Sequence, residues 1–83
     1  MKQVFYKLLY YVSRDMGQDT ADLLERWFTE YMTCASALTH APYILRGILY
    51  TIRASAGDRS MAAYYATMCL NRMNDFDWRG SHL

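Results

Sequence analysis

The chain has 83 residues, 53 % of them hydrophobic and 16 % aromatic, with a formal net charge of +1. So much apolar side chain excludes a disordered polymer, and near-neutrality excludes the strongly basic surface of a non-specific nucleic-acid binder. A chain this short makes one domain, residues 1–83, that buries a smaller fraction of its surface than a larger one, so a homo-oligomer or a partner-binding face is expected to cover the surplus.

The first segment places Phe5, Leu8, Leu9, Val12 and Met16 at helical spacing, with Gln3, Lys7, Tyr10 and Arg14 opposite. Strict alternation fails at Leu8-Leu9 and Tyr10-Tyr11, which favours a helix over a strand. Lys7 interrupts the apolar run and no small-x-small cleavage site follows, so a signal peptide is not expected. Cytoplasmic placement is. Gly17 is suited to end this helix in a left-handed conformation.

Asp19 or Thr20 is expected to cap the second helix, with Asp22 and Glu25 near its first turn, where the amide dipoles favour anions. Its apolar face is Leu24, Trp27, Phe28, Tyr31, Ala35 and Leu38; its polar face is Glu25, Arg26, Thr29, Thr33 and Ser36. Pro42 lacks the amide a helix interior needs but suits a first turn, so Thr39–Ala41 reads as a turn and the third helix begins near Pro42. Ile44, Leu45, Ile48, Leu49, Ile52 and Ala56 cover most of that helix, which is expected to be central, and Arg46, Tyr50 and Arg53 mark its polar edge. Gly47 costs about 1 kcal/mol of helix propensity relative to Ala, and a close helix crossing would explain it. Gly57 is expected to end this helix and Asp58 or Ser60 to cap the fourth, which carries Ala62, Tyr65, Ala66, Cys69 and Met73 on one face.

The expected fold is all-α: a compact bundle of about four helices, with short turns at 17–19, 39–41 and 57–60 and an aromatic C-terminal tail. That tail, Asn74-Asp75-Phe76-Asp77-Trp78-Arg79, has strand-like spacing that would turn both rings one way and both aspartates the other. No stretch reaches 18 uncharged apolar residues, so no membrane span is expected.

Little in the sequence suits catalysis. Zinc sites present paired ligands about 2–4 residues apart, whereas Cys34, His40, Cys69 and His82 are scattered. The cysteines read as buried thiols, and no metal or other cofactor is expected. A Cys–His nucleophile would pair His40 with Cys34 or Cys69, but nothing recognisable supplies an oxyanion site. Glu25 and Glu30 point apart on a helix and read as solvated face. No glycine-rich phosphate loop is present, since Gly17, Gly47, Gly57 and Gly80 are isolated. An enzyme is therefore not expected.

Two binding classes remain. Interface centres favour Tyr, Trp, Met and Arg over Lys, and the chain has eight Tyr, two Trp and six Met, with seven Arg but only two Lys. The preferred expectation is an accessory, inhibitor or adaptor protein that binds a larger protein stoichiometrically. Candidate contact residues are Tyr6, Tyr10, Arg46, Tyr50, Arg53, Phe76, Asp77, Trp78 and Arg79. The alternatives are a structural subunit of an assembly, or a single-stranded nucleic-acid binder using Arg46, Tyr50, Arg53 and Arg59, whose guanidinium groups would grip phosphates while Tyr50 stacks on a base. Against both stands a purely structural role, with Arg46 and Arg53 paired to acids of helix two and the tail docked as a peg.

Overall fold

The computed structural model describes the backbone of residues 2–33 and 40–80 and the side chains of residues 3–33 and 40–73. Four helices follow in order: α1 (Lys2–Met16), α2 (Gln18–Thr33), α3 (Ala41–Ala56) and α4 (Met61–Gly80). Each packs against its neighbour in the chain, α4 closes against α1, and α1 meets α3 only slightly across the diagonal. That ring of contacts makes a four-helix bundle. The all-α expectation holds, and no strand occurs among the described residues.

The first connection is shorter than the sequence suggested. Gly17, at φ +99°, is the only residue between α1 and α2, so the expected 17–19 turn shrinks to one position. Its carbonyl accepts the Ala21 amide at 3.3 Å, and the Thr20 hydroxyl donates back to the Met16 carbonyl at 3.5 Å. Neither Asp19 nor Thr20 is therefore the cap: α2 has already begun at Gln18, and both lie in its first turn.

The expected start of α3 near Pro42 holds. His40 precedes the helix, its carbonyl accepts the Ile44 amide at 3.0 Å, and its side chain makes no cap hydrogen bond. Thr39, the first residue of the expected 39–41 turn, lies outside the described residues. The 57–60 turn stands as expected, with Gly57 at φ +86° ending α3. Ser60 caps α4: its Oγ accepts the Ala63 amide at 3.0 Å and donates to the Gly57 carbonyl at 3.1 Å.

The expected aromatic tail is instead the last part of α4. The backbone stays helical through residues 74–80, since no proline or glycine interrupts the run between Met61 and Arg79. The extended arrangement of Phe76 and Trp78 is thereby set aside. The side chains of Phe76, Asp77, Trp78 and Arg79 lie outside the described residues, as do Cys34, Ala35, Leu38 and His82.

The core follows the helical periodicities. Leu8, Val12, Leu24, Leu45, Leu49, Ile52, Leu70 and Met73 are fully buried, and no polar or charged residue is buried among the described residues. Phe5 and Phe28 stack with ring centroids 3.4 Å apart, joining α1 to α2. Ala62, Ala63 and Ala66 are buried, so α4 brings small side chains to its packed faces. A buried leucine or isoleucine is worth about 1.5–3 kcal/mol relative to exposure, which makes these contacts the main favourable term.

Two expectations about α3 need correction. It is not enclosed: like the others it occupies a corner of the ring, and Ile44 and Ile48 are only half-buried. Nor does a helix crossing explain Gly47, because a Cβ there would meet nothing within 4 Å.

Candidate functional site

An α-helix advances about 100° per residue, so the two Tyr-x-x-Arg units of α3, Tyr43–Arg46 and Tyr50–Arg53, fall on one edge one heptad apart. In each unit the guanidinium lies over the ring of its own tyrosine. The guanidinium carbon is 5.8 Å from the Tyr43 centroid for Arg46 and 5.0 Å from the Tyr50 centroid for Arg53. A cation over an aromatic face is attracted by the ring quadrupole within about 6 Å, which orders two flexible arginines. The tyrosines remain accessible, Tyr43 at 70 % and Tyr50 at 44 %, while both arginines are half-buried. Near this edge lies Tyr31 of α2. Burial pushes its phenol above the usual tyrosine range, and the charge of Arg46 partly opposes that rise.

Of the expected site residues, the structure thus brings Arg46, Tyr50 and Arg53 together. It adds Tyr43, which is absent from the expected set although the repeated Tyr-x-x-Arg marks it in the sequence. Arg59 does not extend the series, since it stands in the turn beyond Ala56 and is exposed.

Tyr6 and Tyr10, expected as one stripe, serve different neighbourhoods. Tyr6 lines an open groove of about 460 Å³ between α1 and α2 with Phe5, Glu25, Phe28 and Met32. Tyr10 belongs to a run of tyrosines that bridges α1 and α4. Its ring meets Tyr11 edge-on at 5.0 Å, Tyr11 stacks on Tyr65 at 5.7 Å, and Tyr65 meets Tyr64 edge-on at 5.1 Å. Arg14 covers Tyr11 at 5.7 Å and contacts Asp15 at 3.2 Å. Its guanidinium is held above the usual arginine range, first by hydrogen bonding with Tyr10 and then by Asp15. Tyr11 and Tyr65 are half-buried and Tyr10 and Tyr64 exposed, so the run packs α1 onto α4 at its middle and reaches solvent at both ends.

A second groove, about 540 Å³, opens between α2 and α3 and takes in the end of α1. Met16, Leu23, Ile44, Ile48 and Ile52 line it, together with Gly47 and two threonines. Among the described residues no group of three or more His, Cys, Asp or Glu gathers as a metal site would require. Cys69 is fully buried, and burial raises its thiol to about 11 against a smaller opposing effect of Arg72. A thiol held protonated in this way packs as a small apolar group. No helix among the described residues is long and apolar enough to cross a membrane.

Comparison with protein-family models, curated proteins and solved structures finds no match to the chain.

Proposed function

We propose that this protein is a small, non-enzymatic interaction module that acts by stoichiometric binding to another protein, with the outer edge of α3 as its principal contact. The observation that carries this reading is the disposition of the tyrosines. Tyr6, Tyr10, Tyr43, Tyr50 and Tyr64 stand exposed over a core that aliphatic side chains and the Phe5–Phe28 stack already close. Folding does not require them there, whereas binding would use them: tyrosine and arginine are the residue types that dominate interface energies. The Tyr43–Arg46 and Tyr50–Arg53 pairs are also ordered before any partner arrives, which lowers the entropic cost of association.

The nucleic-acid reading is less well supported. Each tyrosine of the edge already has its own guanidinium over one ring face, and a base would have to displace it or use the other face. The four carboxylates of α2, the neighbouring helix, oppose a phosphate backbone.

The test is affinity capture from the native host with wild-type protein and with the Tyr43→Ser/Tyr50→Ser double variant. A partner retained by the wild type and lost by the variant, with helicity unchanged, supports the proposal. Labelled single-stranded DNA or RNA that binds at micromolar concentration, weakens steeply with salt and is lost on Arg53→Ala would replace it with the nucleic-acid reading.

A further inference from the structure

We infer that the Tyr-x-x-Arg edge of α3 receives an acidic helix of its partner protein, with a carboxylate of that helix paired to Arg53. The inference rests on the interaction-module reading and gives the partner its chemistry.

Arg46 and Arg53 are the only charged residues of α3. At about 100° per residue, they fall on the other flank of the buried Leu45 from Ile44 and Ile48, which line the groove with α2. That turns them toward α4, which packs along the second side of α3. The described side chains of α4 include Arg72 and no carboxylate, and in the turn before it Asp58 is offset by Arg59. Among the described residues Arg53 touches no carboxylate; its contact is the Tyr50 ring. A cation so placed is matched by an acid from another molecule.

The arginine is also prepared to bind. A guanidinium that lies on an aromatic face still directs its N–H groups, in the plane of the fork, at a carboxylate. The contact of Arg53 with Tyr50 at 5.0 Å therefore orders the fork without occupying its donors. Tyr50 itself remains exposed and offers apolar ring surface beside the charge.

The repeat of the edge points to a helix as the occupant. Tyr43 and Tyr50 are seven residues apart, as are Arg46 and Arg53, which is about 10 Å along the axis. Seven residues is the period at which two helices stay in register, so a helix laid on this edge meets the same tyrosine–arginine unit twice. Apolar side chains at that spacing cover the rings, and Asp or Glu beside them faces the arginines. A nucleic acid fits less well, because it carries phosphate along its whole length and so also meets the field of α2, whose four carboxylates stand against one arginine. A protein helix can confine its acids to the arginine side, and the same field disfavours partners whose acids lie elsewhere.

The test is a displayed library of helical peptides, randomised on one face and selected on the immobilised full chain, with the Tyr43→Ser/Tyr50→Ser chain as counter-selection. Enriched peptides are expected to carry Asp or Glu at seven-residue spacing beside apolar side chains. A labelled member followed by fluorescence anisotropy should bind Arg53→Glu about tenfold more weakly, with helicity retained by circular dichroism. Arg53→Gln, which keeps an aliphatic stem, should weaken it as well, and a lysine in place of the facing acid of the peptide should restore binding to Arg53→Glu. Absence of enrichment, enrichment of peptides without acids, or affinity indifferent to both Arg53 variants overturns the inference. So does displacement of the peptide by single-stranded DNA at equal concentration, which would favour the nucleic-acid reading. The interaction-module proposal fails separately, when capture of a host protein is indifferent to Tyr43→Ser/Tyr50→Ser. Capture that depends on the tyrosines but not on Arg53 removes the acidic helix alone.

Discussion

Replacing Gly47 by alanine should stabilise the protein. The substitution relieves the helix-propensity cost of glycine, about 1 kcal/mol in an exposed helix interior. Nothing offsets the gain, because no atom lies within 4 Å of the new methyl. The Thr51 hydroxyl bond survives too, since its acceptor at position 47 is a backbone carbonyl. For a domain of this size about 1 kcal/mol corresponds to a rise in Tm of roughly 4–8 °C. Equilibrium urea unfolding followed by far-ultraviolet circular dichroism measures it: the midpoint should rise while the slope stays constant. A midpoint unchanged or lowered would refute the reasoning, since it would mean that position 47 is already crowded within the chain.

Other substitutions probe separate parts of the structure. Ser60→Ala removes the hydroxyl that accepts the Ala63 amide and should cost about 1 kcal/mol by urea titration, whereas Asp58→Ala should change little. Leu45→Ala opens a hole beside fully buried neighbours and should cost roughly 2–5 kcal/mol, read as a large fall in the unfolding midpoint. Cys69 should resist alkylation in the folded protein and react on unfolding, as mass spectrometry of the labelled protein will show. Its thiol, raised to about 11, binds a proton more tightly in the folded chain. Its contribution to stability should therefore be complete below the ordinary thiol range and decline as pH rises toward 11. Cys69→Ala should flatten that decline.

The four helices are legible in the sequence because apolar spacing and punctuation agree: Gly17, Pro42 and Gly57 fall where the structure breaks or begins a helix. The finer departures have local physical causes. A left-handed Gly17 needs no further residues to turn the chain, so α2 starts before the side chains that resemble caps. The final segment resembles a tail because its aromatic and acidic residues alternate, yet nothing in it is able to stop a helix before Gly80. Within the candidate site, Arg46, Tyr50 and Arg53 are readable from one helix alone. Tyr43 is harder to place because it follows Pro42 directly, in a first turn whose direction depends on where the helix begins. The contact of Tyr11 with Tyr65 is not readable at all, since it depends on how α1 and α4 slide past each other, which no pattern within either helix records.

What distinguishes α3 is that its circumference divides among three tasks. Leu45, Leu49 and Ile52 face the core; Ile44, Gly47, Ile48 and Thr51 face the groove; Tyr43, Arg46, Tyr50 and Arg53 form the outer edge. Residues on different faces of one helix share few contacts, so substitutions on the three faces should act independently. Leu45→Ala should lower stability without altering the intrinsic affinity of the folded chain. Gly47→Gln should lower neither stability nor capture, since the space over position 47 is open. Tyr43→Ser/Tyr50→Ser should impair capture of a host protein without changing the fold. Measuring unfolding and capture on all three variants would produce one loss in each assay. A variant from one face that disturbed the assay belonging to another would show that the faces are coupled, and the groove and the tyrosine edge would then have to be treated as a single surface with one role.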